Sequence, residues 1–125
     1  MADKTPAQKM LLKPGMTAAL LHVPAGVLPV LGVPDGAAVQ DHLDGAGFIL
    51  EFATTQAEAE ERLAALGPHV REATVAWLAY PKGSKAAGQD VNRDTVWRYA
   101  RTIGLTAVMN VSIDTTWSAL RVRPA

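Results

Sequence analysis

The stretch KPGMTAALLHVPAGV, residues 13–27, reads as a turn, a strand and a loop in succession. Lys13, Pro14 and Gly15 are turn residues, supplying a fixed φ and a permissive one side by side. Met16 to Val23 is apolar on both faces, the pattern of a central parallel strand covered by helices on each side. Pro24, which has no N–H to give a ladder, ends it. A strand running into a glycine loop is where α/β folds seat nucleotides. Here that loop, HVPAGV, keeps one glycine, Gly26.

Residues 1–12, with Asp3, Lys4, Thr5, Gln8 and Lys9 among apolar neighbours, read as a loose arm or a short helix. AGVLPVLG suits a short helix, and PDGAAVQD a turn followed by a second strand ending near Asp41. GFILEFA is a third strand with aromatic and β-branched content. A helix follows, with Thr55 and Glu58 in capping-box spacing, Glu58 and Arg62 one turn apart, and Gly67-Pro68 as the stop. ATVAWLAY, 73–80, reads as a buried fourth strand and PKGSKAAGQD as a loop. Asn92 caps a third helix, with Val96, Ala100 and Ile103 on one face and Gly104 at its end. AVMNVSI and TWSALRVR, divided by Asp114 and Thr115, form a terminal antiparallel hairpin. Strands alternating with helices make a mainly parallel sheet. The expected fold is therefore one α/β domain over 1–125: a three-layer Rossmann-like sheet, mostly parallel, with a C-terminal antiparallel hairpin.

Composition narrows the function. Twelve basic and twelve acidic residues cancel, so no overall field gathers nucleic acid or an anionic membrane surface. The absence of cysteine removes disulfides, thiolate nucleophiles and cysteine-ligated metals. Residues 14–34 carry no Asp, Glu, Lys or Arg, but four prolines and three glycines break the run and oppose a membrane helix. Asp3 and those prolines also fit a secretory signal poorly. A soluble cytoplasmic protein is the expectation.

Three segments carry a resemblance. LKPGM at 12–16, YPKGSK at 80–85 and IDTTWSALRVR at 113–123 resemble an uncharacterised bacterial family classed only as a domain of unknown function. The resemblance runs through most of the chain in order, and TWSALR is its most specific part. It implies a small Rossmann-type domain related in topology to methyltransferases, with no activity attached. In methyltransferase-like sheets the first strand leads into an acidic-Gly-x-Gly-x-Gly loop that approaches S-adenosylmethionine. Here His22 or Val23 takes the place of the acid, Pro24 removes a donor, and only Gly26 remains. The loop is degenerate and no cofactor is expected, S-adenosylmethionine or a nucleotide being the lesser alternative.

Ligands of open parallel sheets bind outside the carboxyl ends of the strands. That rim should carry Pro24, Gly26, Asp41, Tyr80, Lys82, Ser84, Lys85, Asp114 and Trp117, with Arg93 beside it. Lys82, Ser84, Lys85 and Arg93 compose a candidate anion site; Asp41 stands where such folds hold a ribose; Asp114 is a candidate acid or base, and equally a turn residue. Gly83 and Gly88 have phosphate-loop separation, but Gln89-Asp90 replaces the required Lys and Ser/Thr. His22, His42 and His69 lack metal-pair spacing, no serine has an elbow context, and Glu58, Glu60 and Glu61 are explained by the start of a helix. Trp77 and Trp97 read as core.

No catalytic or metal-binding residue is therefore assigned. The first expectation is a non-catalytic module acting through binding or assembly, with a homodimer through the terminal strands or a helix face. The alternative is a protein or enzyme binding a phosphate, carboxylate or nucleotide-like ligand at the rim. Nucleic acid and membranes are not expected partners.

Overall fold

The computed structural model describes residues 4–83 and 90–125. Six strands form one mixed sheet: β1 Thr17–Leu21, β2 Ala38–Gln40, β3 Phe48–Phe52, β4 Val75–Pro81, β5 Leu105–Ser112 and β6 Trp117–Pro124, in the spatial order β2-β1-β3-β4-β6-β5. β1 to β4 are parallel, and β6 inserts antiparallel between β4 and β5. The mostly parallel Rossmann-like sheet with its antiparallel C-terminal pair is the architecture that the alternation of elements implied.

The helices α1 Pro6–Lys9, α2 Val27–Leu31, α3 Gln56–Leu66 and α4 Arg93–Thr102 cover two separate apolar layers. On one face, Met10, Leu12, Val27 and Leu31 meet Phe48, Leu50, Trp77 and Ala119. On the other, Leu63, Leu66, Val96 and Ala100 meet Ile49, Ala76, Leu78 and Leu120. Successive β3 and β4 residues point to opposite layers, which is why those strands are apolar throughout except at Glu51.

Local chemistry fixes the elements. Thr55 caps α3 by accepting from the Glu58 amide, but Glu58 does not complete the box; it accepts instead from the amide and hydroxyl of Thr54. Gly67 stays right-handed and runs into a 3-10 turn, Gly67–His69, before Val70 leaves the helix. Asn92 and Thr95 form a reciprocal box at α4. The N-terminal helix has its own box, Thr5 with Gln8, and the buried Trp77 indole N–H donates to the Met10 carbonyl at 3.0 Å. Residues 5–12 thereby pack into the core.

One packing expectation is overturned. Trp97 is not core: it is 41% exposed on the outer flank of α4, with the Arg101 guanidinium 5.3 Å from its ring centroid. The buried stripe of α4 is Val96 and Ala100, and one residue beyond Val96 is about 100° around the helix, outside that stripe. Among the described residues no helix is long and apolar enough to cross a membrane.

Candidate functional site at the carboxyl rim

The chemistry-bearing cluster of the rim lies where β1 and β3 end beside α3. Leu21 is the ladder partner of Glu51, so His22 is the first residue of β1 beyond that pairing. Its φ of 54° is in the left-handed region, uncommon outside glycine and costing a non-glycine residue roughly 1–2 kcal/mol. The turn aims the imidazole back at β3, where Nδ1 lies 2.7 Å from Glu51 Oε1. The Glu51 side chain is 5% exposed and that of His22 58%.

A buried carboxylate needs donors. Glu51 has two, the Phe52 amide at 2.9 Å and His22. An ionised carboxylate only accepts, so its bond to the imidazole requires the proton on Nδ1. In the neutral imidazole Nε2 is then the acceptor. A carboxylate-held imidazole of this kind orients one nitrogen for ligand contact and can accept a proton from it.

Around this dyad, Arg62 Nη1 donates to the Phe52 carbonyl and lies 3.3 Å from Glu58 Oε1. The Thr54 amide and then its hydroxyl hold the Glu58 carboxyl below its ordinary pKa, with smaller contributions from Arg62 and His22 and a smaller opposing one from burial. The rim over β1 and β3 thus holds two carboxylates, a guanidinium and an imidazole, ordered by α3 and by the ends of two central strands.

The sequence-derived rim residues fall into other groups. Pro24 and Gly26 belong to the turn into α2, where the Val27 amide donates to the Pro24 carbonyl. Gly26 has φ 82°, and nothing lies within 4 Å of where its Cβ would stand. Asp41 is exposed just past β2. Lys82, Asp114 and Trp117 are brought together at the β5–β6 turn. Lys82 Nζ contacts the Ser112 hydroxyl, and its amide donates to the Thr116 carbonyl. Asp114 Oδ1 accepts from the Thr116 and Trp117 amides, both at 2.8 Å, the bonding of a turn residue. Trp117 is buried, edge-on to Phe52 with centroids 5.2 Å apart. Tyr80 lies within β4, buried in the α3–α4 layer, its hydroxyl accepting from Asn110 at 2.9 Å. Burial raises its pKa, outweighing the Asn110 bond and Arg93; Asp94 adds a smaller increase. Arg93 lies on α4, its Nε 3.6 Å from Asp94. Ser84 and Lys85 lie outside the described residues.

His22 and Glu51 are absent from the rim list drawn from sequence. The signal for Glu51 was its position: one charge inside FILEF, a strand otherwise apolar on both faces, demands a partner.

Solved structures resemble most of the chain. It matches a point mutant of MtNAS in complex with S-adenosylmethionine at TM-score 0.60 and 14% identity, covering 95% of this chain and 58% of that one. It matches LepI in complex with SAM at TM-score 0.56 and 12% identity, covering 95% and 39%. It also matches the O-methyltransferase NcsB1 from neocarzinostatin biosynthesis, in complex with S-adenosylmethionine and a naphthoic acid, at TM-score 0.56 and 16% identity, covering 86% and 41%. At these identities the likeness establishes the Rossmann-like methyltransferase-type fold alone, and this chain spans less than two thirds of each. No protein-family model and no curated protein matches the sequence.

Proposed function

We propose that this chain binds a small polar organic ligand at the carboxyl rim of its sheet, with the His22–Glu51 dyad as the anchor. The observation that carries this reading is a buried carboxylate committed to a half-exposed imidazole on a left-handed backbone. Strain at a non-glycine residue and a buried charge each reduce stability, and both lie where open α/β sheets receive ligands. Nε2 is the group presented to the ligand; it can accept a hydrogen bond or a proton from a hydroxyl.

S-adenosylmethionine, held by the neighbours named above, is not the ligand favoured here. Pro24 offers no N–H, Gly26 is the only glycine between β1 and α2, and an imidazole stands at the end of β1. Asp41 at the end of β2 is the one feature that suits a ribose. The residues do not fit the glycine-loop mode.

A thermal-shift screen tests the reading, using hydroxy acids, amino acids, nucleosides, phosphate and S-adenosylmethionine on the native chain and on Glu51→Gln. A ligand present at about a hundred times its dissociation constant stabilises the native state by roughly 2.7 kcal/mol. A saturable rise in Tm that shrinks in Glu51→Gln is the expected result. A rise of equal size in both proteins would remove the dyad from the site.

A second reading rests on exposed apolar side chains. Leu28 and Val30 on α2 and Val39 on β2 are large and exposed, which suits an assembly module acting without chemistry. Sedimentation across a concentration series distinguishes it: self-association weakened by Val30→Lys supports it, and a monomer at every concentration opposes the homodimer.

A further inference from the structure

Trp97, 41% exposed, stands beside a cleft of 320 Å³ between α4 and the outer edge of the sheet. Ala107, Met109 and Leu120 supply its apolar walls, and Arg93, Asp94 and Asn110 its polar ones. Met109 is 42% exposed there. The volume is at the lower end for small-molecule sites. Asn110 donates through Nδ2 to the buried Tyr80 hydroxyl, so its amide is tethered. The ionic contact of Arg93 is through Nε, 3.6 Å from Asp94 Oδ1, beyond hydrogen-bond distance. Its terminal nitrogens are those suited to a bidentate contact with a carboxylate. Arg98 and Arg101 line a second hollow that shares Trp97 and Asp94 with this cleft, with the Arg101 guanidinium 5.3 Å from the Trp97 ring centroid, so the two hollows carry three guanidiniums against one carboxylate, Asp94, among the described residues that line them.

From this we infer a second ligand site, independent of the rim dyad: the α4–β5 cleft binds a flat aromatic carboxylate. Its ring lies against Trp97, Met109 and Leu120, and its carboxylate meets Arg93. The aromatic wall selects a planar ring, and the arginine excess selects an anion.

Three tryptophans give three indole N–H resonances, and Trp77 and Trp117 are buried. In the full chain, titration with benzoate is expected to move the Trp97 resonance saturably and leave the other two in place. Benzamide, which lacks the charge, and cyclohexanecarboxylate, which lacks the flat ring, should bind at least about tenfold more weakly. Arg93→Gln should weaken benzoate roughly tenfold or more. Trp97→Leu should lose benzoate-induced shifts of the Ala107, Met109 and Asn110 amides, with the Trp77 and Trp117 resonances reporting an intact fold. His22→Asn should leave benzoate affinity unchanged, separating this site from the rim. An unsaturable response, equal affinity for benzamide, undiminished binding in Arg93→Gln, or a response to AMP but not to benzoate would each overturn the proposal.

Discussion

Glu51 is the one charged member of a strand whose other four residues are apolar and buried, and its environment is legible only in three dimensions. Its two donors come from the next residue and from a loop 29 positions away. His22→Asn keeps a residue tolerant of the left-handed backbone but withdraws the imidazole. One donor to a buried carboxylate is then lost, and about 1–3 kcal/mol of stability with it. In a double-mutant cycle with Glu51→Gln, measured by urea denaturation, the two losses should fall short of additive, because each removes the same bond. Strict additivity would mean that the dyad does not exist in solution. The tryptophans give a contrast at the same scale. Trp77 has no exposed surface and Trp97 is 41% exposed, so Trp77→Ala should cost about 3–5 kcal/mol, while Trp97→Ala should change stability by under about 1 kcal/mol. The helical period does separate them: Val96 and Ala100 set the buried face of α4, Trp97 falls about 100° away from it, and Trp77 sits in a strand buried on both faces.

Helices and strands were the most readable objects, because turn residues and caps act locally. Asn92 and Thr55 mark boundaries through side-chain oxygens that accept from backbone amides, and Gly104 through a φ of 82°, and the structure uses all three. What sequence missed was how caps are shared: Glu58 serves Thr54, a residue outside the helix. The consequence is a pH dependence. Glu58 has a folded-state pKa below its ordinary value of 4.5, so its contribution is complete above that value and lost as pH falls through the folded one. Glu58→Gln should flatten the acid limb of the stability curve below about pH 5, as measured by thermal unfolding across pH. A second consequence concerns the α1–α2 contact. Gly32 has φ 69°, and a Cβ there would lie 2.6 Å from Thr5 Cβ. Gly32→Ala must therefore displace the Thr5 cap as well as strain the backbone, lowering Tm by more than Gly45→Ala, where φ is 71° and nothing lies within 4 Å.

Over the whole molecule, the parallel part of the sheet follows from the alternation of strands and helices and the antiparallel pair from the short link between β5 and β6, which is why the fold class was legible; the strand order β2-β1-β3-β4-β6-β5 was not. The placement of the N-terminal segment was not, because PAQKMLL is too short to show a helical period. Its Met10 carbonyl accepts from the Trp77 indole at the centre of one apolar layer, so deletion of residues 1–12 should shift Trp77 emission to the red and lower Tm. The functional reading also belongs to this scale, since strands β1 and β3 and helix α3 must all be in place for the rim to exist. The most direct measurement is the nitrogen spectrum of the His22 imidazole while rim ligands are added. The proposed site is expected to show a ring with its proton on Nδ1, a tautomer that Glu51→Gln disturbs, and an Nε2 resonance that moves with each ligand that stabilises the chain. A ring in a free tautomer mixture, unmoved by those ligands and indifferent to Glu51→Gln, would contradict it.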